Sequence, residues 1–113
     1  VKVIVSDFDN TLFKRYHGLI LPVVQYLQEK NLPVIIVTYR AENQEQFIYD
    51  TLKETKLNIV GYGFADSRKK DPTTKAVIMS HLLRKYDVVE ALDDDPQVVV
   101  HYTSAGVHCK QFA

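Results

Sequence analysis

The sequence predicts an α/β domain whose parallel sheet carries helices on both faces. Three observations lead there. Short apolar runs at 1–6, 34–37 and 88–92 do not alternate with polar residues, as strands buried on both faces do not. Segments with apolar residues at helical spacing lie between those runs, the pattern of strand–helix–strand units. Successive runs also end in polar chemistry: Asp7 and Asp9, then Thr38 and Arg40, then Asp93 and Asp94. In an open parallel sheet the ligand site lies beyond the carboxyl ends of the strands, where strand order reverses. If the first strand is central and flanked by the second and fourth, these three groups meet.

Each element has its own reason. Residues 1–6 read as a first, fully buried strand, and 12–18 as a loop. A helix is expected over 19–30, with apolar residues at 19, 20, 23, 24 and 27 forming one stripe and Pro22 tolerated near its start. Asn31-Leu32-Pro33 stops it. Residues 34–37 form the second strand. A helix over 43–55 presents Phe47, Ile48, Thr51 and Leu52 on one side. The third strand, 57–64, is weakened by Gly61 and Gly63. A basic loop, 65–72, leads to a helix over 73–86 with apolar positions 76, 77, 79, 82 and 83. The fourth strand is 88–92. A short helix over 96–105 begins with Asp95 and Pro96 and stops at Gly106, and a last strand spans 107–112. Connections are short, without repeats or linkers, so the 113 residues read as one domain, 1–113.

Composition narrows the classes. Fourteen basic and fourteen acidic side chains balance, so net charge argues neither for nor against nucleic acid. The lone Cys109 rules out a disulfide within this sequence and a four-cysteine zinc site; it lies in an apolar run and is expected to be buried and inert. The four histidines show no metal-ligand spacing. No signal peptide or membrane-length apolar stretch is present, so no membrane partner and a cytoplasmic location are expected.

The chain is organised around Asp7-Phe8-Asp9-Asn10-Thr11. A strand delivers two carboxylates, one residue apart, into a turn. Close aspartates repel unless a cation lies between them. An oxygen-only donor set with few protein ligands suits Mg²⁺. Asp93 and Asp94, at the end of another strand, would complete a shell of Asp7, Asp9, Asp93 and Asp94. The alternative for these carboxylates is helix capping, the role assigned to Asp95.

Asp7-x-Asp9-x-Thr11 resembles motif I of the haloacid dehalogenase superfamily. The run ending in Thr38 resembles motif II, Lys75 motif III, and Val-Glu-Ala-Leu-Asp93-Asp94 motif IV. The resemblance implies a three-layer Rossmann-like fold and a Mg²⁺-dependent phosphatase acting through an aspartyl-phosphate. Asp7 would be the nucleophile, Asp9 the general acid and base, and Thr38 and Lys75 would contact the phosphoryl group. No inserted cap domain fits between the motifs, so an open site is expected.

A narrower resemblance, best over the last 45 or so residues, is to the 3′-phosphatase domain of phage polynucleotide kinase/phosphatase. It implies a phosphorylated substrate, a DNA or RNA end or a nucleotide, with Thr11, Arg40 and Asp71 as substrate-binding residues. Arg40 would grip phosphate; the alternative is a solvated loop residue. Asp71 could equally cap the helix that follows. Tyr39 stands where the family has glycine, and Arg15 or Lys14 would have to replace a second arginine. No phosphate-binding Gly-x-x-x-x-Gly-Lys-Ser/Thr loop is present, so no kinase activity is expected. A small-molecule phosphatase, or a silent binding protein of the same fold, is the alternative.

Overall fold

The apolar N-terminal run forms the central strand of a five-stranded sheet in a computed structural model that describes residues 1–111. The elements are β1 (Lys2–Ser6), a hairpin of β2 (Phe13–Lys14) and β3 (Gly18–Leu19), α1 (Leu21–Lys30) and β4 (Val34–Thr38). Then come α2 (Glu45–Leu52), bracketed by 3₁₀ turns at Glu42–Gln44 and Lys53–Thr55, and β5 (Ile59–Phe64). The rest comprises α3 (Pro72–Lys85), β6 (Asp87–Leu92), α4 (Pro96–Ser104) and β7 (Cys109–Lys110). The sheet order is β5-β4-β1-β6-β7, and every pairing is parallel. The chain therefore builds outward through β4 and β5 on one side of β1, then crosses to β6 and β7 on the other. That reversal opens a crevice at the carboxyl end of β1.

Alternation along the buried strands separates two cores. Ile4, Val34 and Ile36 face Val23, Val24, Leu27, Ile48 and Leu52, which come from α1 and α2. Val3, Val5, Ile35 and Val37 face the opposite way, onto Met79, Val98 and Tyr102 of α3 and α4. Helix, sheet and helix thus form three layers in a Rossmann-like arrangement. No helix among the described residues is long and apolar enough to cross a membrane.

Several boundaries differ from expectation. Residues 12–18 are not simple loop: Phe13 pairs with Leu19 and Lys14 with Gly18. Leu19 is therefore strand, and α1 starts at Leu21, with Pro22 in its first turn. The second helix is regular only over Glu45–Leu52, since Lys56 turns into the left-handed region after Thr55 caps the Leu52 carbonyl. The last strand shrinks to Cys109–Lys110; position 112, where it was expected to end, lies outside the described residues. Cys109 is half-buried rather than buried, and its thiol is pushed up to about 12, by burial first and then by Asp93 and Glu90.

The largest departure concerns α3. Val77 and Leu83, expected on its apolar stripe, are exposed. The inward line instead runs through buried Lys75 and Met79 with partly buried Ile78 and Leu82. These are helical neighbours at three- and four-residue spacing. The helix is phased by its lysine, which turns inward to carboxylates at the strand ends.

Gly63 is explained by the same helix. A Cβ at Gly63 would lie 2.7 Å from Ile78 Cγ2 and 3.4 Å from Val37 Cγ2. Both neighbours are β-branched and stiff. Gly63→Ala is expected to cost about 1–3 kcal/mol by overpacking, read from denaturant midpoints at unchanged m-value.

Candidate active site

Parallel register sets the strand ends side by side. Ser6 pairs with Ile36 of β4 and with Leu92 of β6, and the Asp7 amide donates to the Leu92 carbonyl at 2.9 Å. Asp7 and Asp93 therefore leave adjacent strands at the same level. Between them stands Lys75, whose Nζ donates to Asp7 Oδ1 at 2.9 Å and to Asp93 Oδ2 at 2.8 Å. The ammonium also lies 4.4 Å from the centre of the Tyr39 ring. Thr11 Oγ1 donates to the other Asp7 oxygen at 3.1 Å, and the Asp95 amide donates to Asp93 Oδ1 at 3.0 Å.

Asp7, Asp93 and Asp94 each offer a carboxylate oxygen within 4.8 Å of the others. Asp7 is held well above the usual carboxylate range by burial first, with Asp93 and Asp94 adding to the rise and Lys75 opposing it. Asp93 is raised too, by burial, against Lys75 and the Asp95 amide. Burial works against the Lys75 charge, yet the two aspartates lift the ammonium above its ordinary value. The charges do not cancel. The Lys75 ammonium bonds Asp7 and Asp93, and Asp94 brings a third carboxylate oxygen within 4.8 Å of theirs, so these four groups together carry about two net negative charges when all are ionised. An oxygen-only donor set with that net charge suits a hard divalent ion.

Asp9 is placed differently. It was expected to share the metal with Asp7, but its carboxylate forms a two-pronged pair with Arg40, Nε to Oδ2 and Nη2 to Oδ1, both at 2.8 Å. The remaining Arg40 nitrogen donates to Gln44 Oε1 at 3.2 Å. The guanidinium rests 5.4 Å from the Phe8 ring and 5.0 Å from that of Phe47. Arg40 is thus neither a solvated loop residue nor aimed at open space; its fork is occupied by a carboxylate.

A cleft of roughly 540 Å³ opens above these groups. Asp7, Asp93 and Asp94 line its floor, Tyr39 and the Asp9–Arg40 pair its walls, and Arg15 and Lys70 reach it as cations. Thr11, Thr38 and Lys75 are fully buried beneath it. The Thr38 hydroxyl accepts from the Arg40 amide at 3.1 Å and so shapes the turn that aims Arg40. Asp71 does not line the cleft. It is exposed at the start of α3, where its Oδ1 accepts from the Thr73 amide at 3.0 Å and the Thr73 hydroxyl at 2.8 Å. Those two bonds hold its carboxyl below the usual range. Asp95 likewise caps α4, accepting from the Gln97 amide.

Tyr39 and Lys70 line the cleft although residue order did not single out either as a site residue. Tyr39 gave only the signal of a missing glycine. Its hydroxyl is buried without a partner among the described residues, and burial pushes its phenol up to about 12. Lys70 is hidden within the run Arg68-Lys69-Lys70, where spacing does not single out one cation.

Comparison with known proteins gives fold-level matches. No family model and no curated protein matches this chain. Its structure is similar to a chain in a solved Pnkp1/Rnl/Hen1 RNA repair complex, with a TM-score of 0.81 and 22% identity, over 98% of this chain and 42% of that one. A second solved Pnkp1/Rnl/Hen1 complex gives a TM-score of 0.74 at 22% identity, covering 98% and 45%. The chain thus spans less than half the length of the structures it resembles.

Proposed function

We propose that this chain is a Mg²⁺-dependent phosphatase of the haloacid dehalogenase type, which removes a terminal 3′ phosphate from a polynucleotide or nucleotide. One observation carries the reading: a buried lysine bridges Asp7 and Asp93, while Asp94 closes a three-carboxylate cluster under an open cleft. Similarity to chains of an RNA repair complex and the resemblance of the last 45 or so residues, including Arg68–Lys75 and Asp93–Asp95, to the phage 3′-phosphatase domain support a nucleic-acid end as substrate.

Asp7 attacks phosphorus as the ester P–O bond breaks, and the leaving oxygen takes a proton from Asp9. Asp9 then removes a proton from water as that water's oxygen attacks the aspartyl-phosphate, which frees phosphate and restores Asp7. Lys75 and Thr11 hold the Asp7 carboxylate in one orientation. Held by Asp7, Asp93 and Asp94, Mg²⁺ would offset the negative charge of the phosphoryl oxygens. Both Asp9 oxygens accept from Arg40 in this structure, so the guanidinium holds the carboxylate on the face it offers to the leaving group's donor. An arriving phosphate offers Arg40 an equivalent two-pronged partner. Transfer of Arg40 from Asp9 to phosphate would therefore secure the substrate and release the acid together.

The test is a substrate panel with Mg²⁺: 3′- and 5′-phosphorylated oligonucleotides, mononucleotides and sugar phosphates. The expected result is preference for the 3′-phosphorylated oligonucleotide and loss of turnover with EDTA. Activity that persists in EDTA would overturn the metal assignment. The cleft volume also suits a compact ligand. A small-molecule phosphatase using the same residues is therefore the second reading, and preference for sugar phosphates would select it.

A further inference from the structure

The hairpin between β1 and α1 is rooted in the catalytic loop. Phe13 bridges to Asp9, its carbonyl accepts from the Asn10 amide at 2.7 Å, and its ring stacks on Phe8 at 5.1 Å. At its tip the His17 amide donates to the Lys14 carbonyl at 2.9 Å, closing a turn with Arg15 and Tyr16 at its centre. Tyr16 has φ 68°, a left-handed conformation that favours glycine or asparagine and disfavours a bulky aromatic residue. The residue is also 88% exposed. A strained backbone that presents a large apolar ring to solvent opposes both local preference and burial. The Arg15 guanidinium lies 5.0 Å from the centre of the ring, and Arg15 lines the cleft.

We infer that Tyr16 is a stacking platform for an unpaired nucleobase at the substrate's phosphorylated end. The inference rests on the phosphatase reading and narrows its substrate class, because a sugar phosphate has no aromatic face to stack. The Arg15 guanidinium lies over one face of the ring, and the 88% exposure of Tyr16 leaves ring surface open to a base. From Phe13, beside Asp9, to Tyr16 is three residues, at most about 10 Å of extended chain. A base joined through its sugar to a phosphoryl group over Asp7 is thus within reach of the hairpin tip. An unpaired base offers its π-face freely, and stacking on tyrosine tolerates any base.

The test measures binding separately from turnover. In an Asp7→Asn background, the affinity for a labelled single-stranded oligonucleotide with a 3′ phosphate is read by fluorescence anisotropy, with the same oligonucleotide carrying an abasic terminal residue alongside. Tyr16→Ala and Tyr16→Gly are each expected to weaken binding about tenfold, and Tyr16→Phe to retain it. The abasic end should lower unsubstituted Tyr16 to the level of Tyr16→Ala. Tyr16→Gly suits the turn, so its Tm should equal or exceed that with tyrosine, which separates lost stacking from lost folding. Equal affinities for Tyr16, alanine and glycine would overturn the inference, as would indifference to the terminal base or no binding of either oligonucleotide. Base-dependent binding with no turnover of any phosphate ester by the unsubstituted enzyme would overturn the phosphatase reading and leave the stacking site standing.

Discussion

Asp7→Asn is expected to lower kcat/KM by about 10⁴-fold or more, because an amide cannot form the acyl-phosphate. The two residues are nearly isosteric, so the fold should survive. Asp7 is buried and raised by its surroundings, which means that its charge costs folding free energy when no metal is bound. The metal-free Asp7→Asn protein should therefore be at least as stable as its parent, while the Tm gain on adding Mg²⁺ should shrink. Near-parental turnover would remove Asp7 from the reaction; an unchanged Mg²⁺ response would remove it from the metal shell. The pH dependence follows. Asp7 and Asp93 both lie above the unfolded value of about 3.9. Their contribution to metal-free stability is complete below that value and is lost as pH rises through the raised folded values. Metal-free Tm should accordingly fall as pH climbs from about 4 toward neutrality, and saturating Mg²⁺ should flatten the fall. A metal-free Tm that rises over this window would contradict the assignment.

Lys75→Met is expected to have the largest effect on stability. The change keeps an unbranched chain of similar length but deletes the cation shared by Asp7 and Asp93. Leaving buried carboxylates without their partner costs about 3–5 kcal/mol, a large part of the 5–15 kcal/mol that holds a typical domain together. The loss should appear in metal-free denaturant unfolding, and Mg²⁺ should restore part of it by supplying positive charge to the same oxygens. Adding Asp93→Asn to Lys75→Met should also recover stability, because one stranded carboxylate is then gone. If neither rescue occurs, Lys75 acts through packing rather than charge. Turnover by Lys75→Met should fall steeply even where it folds, since the Asp7 carboxylate loses its fixed orientation.

Much of the site could be read from residue order because its placement depends on local rules. A strand that ends in Asp7 and another that ends in Asp93 must put those side chains on one rim once the strands are parallel neighbours, and apolar runs without alternation required that parallel packing. Arg40 and Asp9 show where such rules stop. They are 31 residues apart and joined by two hydrogen bonds that no spacing foretells. A long side chain can satisfy a phosphate or a carboxylate with equal geometry, so its partner is set by what lies opposite. Asp71 shows a milder form: the residue type suited either a substrate contact or a cap, and its exposed position on α3 left it capping.

Residue order was thus enough to establish the α/β class and to put Asp7, Asp93 and Asp94 at strand ends, because strand periodicity and chain direction are local properties that fix where an element ends; the central first strand entered only as a condition, and Lys75 only through family resemblance. Three-dimensional packing settled the rotation of α3 about its buried lysine, the hairpin that brings Arg15 to the cleft, and the pairing of Asp9 with Arg40. Each of these minimises a free energy shared among groups distant along the chain, and no local pattern encodes such a sum.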